Sequence, residues 1–311
     1  MPADAVSVVI PAYNYAHFLP DAIASILEQT HPAYEIIVVD DGSKDNTREV
    51  VARFTDPRVR YVWQQNAGLS AARNTGIAQA RTPFVAFLDA DDQWFPGFLS
   101  AVVERFQALE KRYGLVATAT TRMDQSGQKL PPPRRVFSLS GTLTPRDFIM
   151  RNRCLSSSIV ARRAVFDECG FFDTTLRSSE DRDMWIRITT KYGFWLIDEP
   201  LGYIRRHGDN MSKNAPRMKQ NSGTVMVKAW RAGAVSRWDV PFWLRAFSVH
   251  YFQIAWTHYE AGYRARAFQY LATSVALWPV FLKPAQVFEP PLFRLRALAH
   301  FVLRLFSSAR S

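Results

Sequence analysis

Pro83-Phe84-Val85-Ala86-Phe87-Leu88-Asp89-Ala90-Asp91-Asp92 is the stretch that decides the fold. An apolar run of strand length ends in three carboxylates within four positions. Such a run is buried on both faces of a parallel sheet, so its end falls at the carboxyl edge, where open α/β folds bind ligands. Three acids there repel one another unless a cation offsets the charge. Alternating carboxylates at a strand end can aim their oxygens at one hard divalent ion, which in turn holds phosphate oxygens. An isolated D-x-D is more often a helix-capping acidic turn, so the surrounding pattern has to carry the weight.

Working outward, the first ninety residues alternate strand and helix signals. Val6–Ile10 reads as a strand, 18–29 as a helix with Leu19, Ile23, Ile26 and Leu27 on one face, and Glu35–Asp40 as a second strand. A short helix over 46–54, a strand over 59–64 and an Ala-rich helix over 70–80 lead into the strand Phe84–Leu88. Repeated strand-helix units imply a parallel sheet with right-handed crossovers. Asp40-Asp41-Gly42-Ser43 closes the second strand, so a second acidic cluster lands on the same edge as Asp89–Asp92.

From 101 to about 198 the pattern is mixed: a helix over 101–113, a strand over 115–121, a Pro-rich loop at 130–135, a strand over 156–160, a helical turn over 164–168 and a helix over 182–192. Beyond Asn214 the chain reads as wholly helical, with 251–277 a hairpin turning at Gly262.

The bulk composition, 48% hydrophobic and 22% charged over 311 residues, describes a globular protein of one large or two modest domains. Cys154 and Cys169 are too few for a disulfide framework, which implies a reducing compartment. The N-terminus does not read as a signal peptide, and no uncharged stretch is long enough to span a bilayer. Residues 1–211 hold 25 Lys+Arg and 25 Asp+Glu, whereas 212–311 hold 14 and 3. The whole net charge of +11 therefore belongs to the last hundred residues, which implies an anionic partner there.

Seven ordered motifs resemble the family 2 glycosyltransferases, which have the GT-A fold. They are Val8-Val9-Ile10-Pro11-Ala12-Tyr13-Asn14, Val38-Val39-Asp40-Asp41-Gly42-Ser43-Lys44-Asp45-Asn46-Thr47, Asn66-Ala67-Gly68-Leu69-Ser70-Ala71-Ala72-Arg73-Asn74-Thr75-Gly76, Phe87-Leu88-Asp89-Ala90-Asp91-Asp92, Gly170-Phe171-Phe172-Asp173, Glu180-Asp181, and Arg205-Arg206-His207-Gly208-Asp209-Asn210. Each is weak alone; their order is specific for the family and silent about the sugar. The resemblance covers residue 5 to about 212. Ile204 and Phe171 depart from its usual residue types but remain apolar.

The resemblance implies an α/β fold, a GT-A-type, Rossmann-like, mostly parallel sheet flanked by helices, to which the sequence pattern beyond it adds a C-terminal helical extension. Residues 1–212 form the catalytic domain (1–100 nucleotide-binding, 101–212 acceptor-binding), and 213–311 the basic helical region. It implies an inverting, Mn²⁺- or Mg²⁺-dependent transferase moving a sugar from a nucleotide sugar, of the UDP-sugar type, to a hydroxyl acceptor, a saccharide or, as the basic amphipathic tail suggests, a lipid-linked one.

Residue by residue, Asp91 matches the main metal carboxylate, with Asp89 and Asp92 supporting the metal and the ribose, and His207 matches a late metal-ligating histidine. A neutral imidazole beside carboxylates suits Mn²⁺ better than Ca²⁺. Asp40 and Asp41 match the nucleotide pocket, Asp41 accepting from the uracil N–H. Tyr13 would stack on the base, Pro11 would bring backbone close to it, and Arg73 would lie near the base and phosphates. Glu180 and Asp181 match the acid pair on the acceptor side, with Asp181 as general base. Inverting transfer needs a carboxylate that takes the acceptor hydroxyl's proton as that oxygen attacks the anomeric carbon. Carboxylates are also favoured in any first helical turn, and Trp185 reads equally as a sugar platform or as core.

Outside the resemblance, 291–306 reads as a helix with Leu292, Leu295, Leu298, Val302, Leu305 and Phe306 on an apolar arc, and with Arg296, His300 and Arg304 as a polar stripe. Residues 285–311 therefore fit either an anionic membrane surface, making the protein peripheral on the inner face of the membrane, or packing within a cytoplasmic protein. No nucleic-acid-binding module is present. Two other readings compete. A sugar-1-phosphate nucleotidylyltransferase would need a Gly-rich basic loop where this chain has Pro11-Ala12-Tyr13-Asn14. A silent nucleotide-sugar-binding scaffold would not need Asp89, Asp91, Asp181 and His207.

Overall fold

Strand β1 (Val6–Ala12) is buried at every position, and the sheet grows outward from it. The computed structural model describes residues 2–130, 140–208, 215–278 and 299, and divides the chain into two compact units. The first is Met1–Thr144 with Cys154–His207.

Its first half alternates as the sequence predicts: β1, α1 (Leu19–Leu27), β2 (Glu35–Asp40), α2 (Thr47–Ala52), β3 (Val59–Trp63), α3 (Leu69–Gln79) and β4 (Phe84–Phe87). β1 pairs in parallel with β2 and β4, and β2 with β3. Alternate residues of a strand face opposite sides. Val6, Val8 and Ile10 of β1 share one core cluster with Leu19, Ile23 and Ile26 of α1. Val9 meets α3 instead, so closely that a Cβ on Gly76 would lie 2.2 Å from one of its methyls.

The second half adds β5 (Gln93–Trp94), α4 (Phe98–Ala108), β6 (Tyr113–Asp124), β7 (Lys129–Leu130), β8 (Gly141–Leu143) and, after α5 (Pro145–Met150) of the second unit, β9 (Ile159–Arg162), α6 (Ala164–Cys169), α7 (Glu180–Thr189) and β10 (Gly193–Arg206). The sheet order is β3-β2-β1-β4-β9-β6-β10-β5, with β7 on β6 and β8 on β10. β9 is antiparallel to β4 and β6, while β6 and β10 run parallel. The long pairings are parallel and the antiparallel ones short, so the sheet is mostly parallel.

Three expectations change. The fourth helix starts at Phe98 and gives way to β6 at Tyr113. The strand expected over 156–160 begins as a 3₁₀ turn, Ser156–Ser158, and only Ile159 onward is strand. β10 has no counterpart in the sequence reading because Asp198-Glu199-Pro200 interrupts its alternation. Pro200 cannot donate to a ladder, and the register with β6 shifts on either side of it.

The second unit is Pro145–Arg153 with Gly208–Ser311. It begins before residue 213 because α5 belongs to it. Arg146 pairs with Asp239 at 2.6 Å and lies over the Phe242 ring. Asp239 also caps α9 (Val240–Glu260), which follows α8 (Ala215–Arg231). α9 turns at Gly262 into α10 (Arg264–Leu277), where φ is +83°. Inside this hairpin Ser248 and Ser274 each donate a hydroxyl to the other's carbonyl at 2.7 Å, so both buried hydroxyls are satisfied. Of the Pro-rich loop only Leu130, and of the basic segment 285–311 only residue 299, is among the described residues; Asp209 and Asn210 lie outside them. No described helix is long and apolar enough to cross a membrane.

Candidate functional site

The carboxyl ends of β1, β2 and β4 meet at one edge of the sheet, and almost every residue expected to be functional collects there. The loops after β1 and β2 are pinned together. Asn14, in the left-handed region at φ 57°, donates its N–H to Ser43 Oγ at 3.0 Å and accepts from the Lys44 N–H at 2.8 Å. Pro11 is buried in the strand, and Tyr13 is 44% exposed.

The two acids that close β2 are buried. Asp40 accepts from the Ser43 N–H and the Tyr61 hydroxyl. Asp41 accepts from the Gln64 amide at 2.6 Å and from the backbone N–H groups of Ala67 and Gly68 at 2.9 and 2.8 Å. An ionised carboxylate has about four acceptor directions, so three donors leave Asp41 one, on Oδ2. Its first task is to shape the 66–68 loop.

At the end of β4 the three acids diverge. The side chain of Asp89 is one-third exposed and accepts from Arg73 at 2.8 Å. Its backbone N–H donates to Ser157 Oγ at 3.1 Å. Asp91 Oδ2 lies 2.8 Å from His207 Nε2. Burial raises the pKa of Asp91, the charge of Asp89 adds to this, and the contact with His207 works against both. Asp92 turns inward and accepts from the Arg205 N–H at 3.0 Å. Burial, followed by the charges of Asp91 and Asp89, pushes its carboxyl well above the usual range. The supporting role expected of Asp92 at metal and ribose is therefore corrected: it is an internal acceptor that joins β10 to the β4 loop.

His207 sits at the end of β10 between the rings of Tyr15 and Phe18, at 5.5 and 5.4 Å. Arg205, two residues earlier, donates to the Asp91 carbonyl, the Gln125 carbonyl and Asp21, and covers the Phe18 ring. Strand β10 thus delivers a histidine to the acids of β4, with an arginine bracing both.

A divalent cation fits this donor set. Asp91 offers a carboxylate oxygen and His207 an imidazole nitrogen at touching distance, and the like charge of Asp89 would be relieved by a cation. Among the described residues no group of three or more His, Cys, Asp and Glu side chains gathers closely enough to hold a metal unaided. The residues that would hold it are Asp91 and His207, with Asp89 beside them.

Helix α7 starts at Glu180 after Ser179, which is left-handed at φ 60°. Glu180 is buried and accepts from Arg73 at 2.7 Å. Asp183 is buried and paired with Arg187. Asp181 alone of the acids in this turn is partly exposed, and its Oδ1 accepts from the Arg182 N–H at 2.6 Å.

Two expected roles change here. Arg73 is not laid out toward a ligand: its side chain is 2% exposed and its guanidinium is divided between Asp89 and Glu180. Trp185 is fully buried, edge-on to Phe172, so it is core and not a sugar platform. The sequence reading missed Ser157, whose hydroxyl holds the Asp89 N–H and whose carbonyl takes the Trp94 indole N–H at 2.6 Å. The serine run 156–158 was its only signal. It also missed Tyr15 and Phe18, whose rings flank the histidine.

This sheet, with acids at its carboxyl edge and a histidine brought to them by a late strand, defines a GT-A-type glycosyltransferase domain. The chain belongs to glycosyl transferase family 2, whose model matches residues 7–169, more than half of its length. It is 36% identical over 218 residues to TuaG of Bacillus subtilis, a glycosyltransferase whose name assigns it to teichuronic acid biosynthesis; the match covers 67% of this chain and 82% of that one. An uncharacterized glycosyltransferase of Rickettsia felis is 32% identical over 226 residues, 72% of this chain, and this chain spans only 36% of that relative's length. Among solved structures, the mannosyltransferase PcManGT of Pyrobaculum calidifontis, in complex with GDP-Man and Mn²⁺, superposes with a TM-score of 0.60 at 19% identity, covering 97% of this chain and 88% of its own. TarS 1–349 of S. aureus in complex with UDP-GlcNAc gives 0.57 at 17% identity, covering 88% and 89%.

Proposed function

We propose that this protein is a metal-dependent, inverting glycosyltransferase that moves a sugar from a UDP-sugar to a hydroxyl acceptor, saccharide or lipid-linked, in the assembly of a cell-surface polysaccharide or glycolipid. The observation that carries the proposal is the 2.8 Å contact between Asp91 and His207 at the end of β4. In support, relatives include TuaG and the colanic acid biosynthesis glycosyltransferase WcaA of Escherichia coli by name, and the compared folds bind UDP-GlcNAc or GDP-Man.

The residues divide the work. Tyr13 offers its exposed ring to the base, and the free acceptor direction of Asp41 takes a base N–H. Asp91 and His207 would hold Mn²⁺ or Mg²⁺, with Asp89 beside them. A bound divalent ion supplies Lewis-acid neutralisation of the leaving diphosphate. Asp181, the part-exposed acid at the start of α7, accepts the proton of the incoming hydroxyl as its oxygen attacks the anomeric carbon. The basic segment 285–311 suits an anionic membrane surface, where a lipid-linked acceptor would be met.

The test is a screen of nucleotide sugars for nucleotide release with Mn²⁺, using the wild-type chain and Asp91→Asn. Release from one or more UDP-sugars that is lost in the variant is expected. Release that ignores both metal and Asp91 would sink the proposal.

A further inference from the structure

Arg73 is the most deeply buried charged side chain near the site, and what surrounds it differs from a ligand-binding environment. One guanidinium nitrogen donates to Asp89 at 2.8 Å and another to Glu180 at 2.7 Å. The Phe172 ring lies beneath, 5.5 Å from the guanidinium carbon. The next residue, Asn74, holds the same turn from the other side: its amide donates to the Phe172 carbonyl and its oxygen accepts the Phe172 N–H, both at 2.9 Å. Two consecutive residues of α3 therefore fasten three motifs distant in sequence: the β4 strand end, the 170–173 turn and the start of α7.

The start of α7 needs such a fastening. Ser179 is one of two non-glycine residues in the left-handed region among those described, a backbone state that persists only where the surroundings enforce it. Glu180 follows at once, and Asp181 is bonded to it in the chain. Resting on the function proposed above, we infer that Arg73 is a positioning residue: by gripping Glu180 and Asp89 together it fixes Asp181 at a set place relative to the metal-side acids. A planar fork suits two carboxylates at once, and lysine's single point charge does not. Arg73 itself touches no substrate.

The experiment is a double-mutant cycle on nucleotide release, with water or acceptor as the hydroxyl, using Arg73→Lys, Glu180→Gln and Asp181→Asn in the full chain. Arg73→Lys keeps a cation between the carboxylates and loses the fork. It is expected to lower kcat ~10- to 100-fold, the scale of a misplaced catalytic group, while donor KM and UDP–Mn²⁺ affinity stay unchanged. Combined with Asp181→Asn, it should add nothing to the fall that Asp181→Asn causes alone, because it acts through that residue. Glu180→Gln should behave alike, and it carries the test if Arg73→Lys fails to fold. Effects that multiply with Asp181→Asn would overturn the inference. So would a raised donor KM at constant kcat, which would return Arg73 to the donor. A wild-type chain that releases nucleotide from no sugar donor would instead remove the proposed function, and this inference with it.

Discussion

Asp91 and His207 are 116 positions apart in the chain and 2.8 Å apart in space, one at the end of β4 and the other at the end of β10. No local propensity produces that contact; the sheet does, because β4 and β10 both run to the same edge. Each group buries charge or polarity that the other satisfies, and each has the ligand chemistry of a borderline divalent metal. Asp91→Asn and His207→Ala should therefore each weaken Mn²⁺-dependent UDP binding while leaving the fold intact. Calorimetric titration of UDP with and without Mn²⁺ measures this. Unchanged affinity in both variants would take the pair out of the metal site.

Asp181→Asn should bind donor as the wild type does and lose turnover, by ~10²–10⁴-fold, the usual contribution of a general base. The expectation rests on its position: it alone among Glu180, Asp181 and Asp183 reaches the surface. Parallel measurement of UDP affinity and nucleotide release separates the two roles. A fall in UDP affinity that tracks the rate would assign Asp181 to the donor instead.

The first four strands and their acids are legible in the sequence because each strand is a short apolar run that ends where its polar residues begin. The edge acids Asp40, Asp41, Asp89 and Asp91 follow directly. What is not legible is direction. Nothing local tells that Asp92 turns inward to the Arg205 N–H while its neighbour faces His207, since that depends on β10 lying where it does. Arg73 is misread for the same reason: small neighbours that allow a ligand to approach also allow a helix to sink onto a strand, and here Gly76 against Val9 shows the second use. Trp185 was open to two readings by pattern and is resolved only by the burial of its helix face.

Residues 285–311 carry a single acid, Glu289, among Arg294, Arg296, Arg304 and Arg310. If this segment meets an anionic bilayer, the full chain should float with phosphatidylserine vesicles, and a chain lacking 285–311 should not. Binding should also weaken with salt, since each basic residue near such a surface contributes roughly 1 kcal/mol. Equal flotation of both forms would assign the segment to packing.

Gly76 offers a test of the sheet–helix contact that carries Arg73. An alanine there would gain about 1 kcal/mol of helix propensity. Its Cβ, however, would meet Val9 Cγ1 at 2.2 Å, Cγ2 at 2.8 Å and Cβ at 3.0 Å, all on a fully buried central strand that cannot yield. Overpacking of that kind costs ~1–3 kcal/mol or more, so the clash outweighs the propensity and Gly76→Ala should lower stability in urea unfolding. Val9→Ala removes both methyls from the collision and leaves a cavity that the new methyl partly fills. The double variant Val9→Ala/Gly76→Ala should then be more stable than the sum of the single losses predicts, by at least ~0.5 kcal/mol. Strict additivity would mean that α3 moves aside instead of clashing. Arg73, three residues earlier on the same helix, would then not hold a fixed place over Glu180.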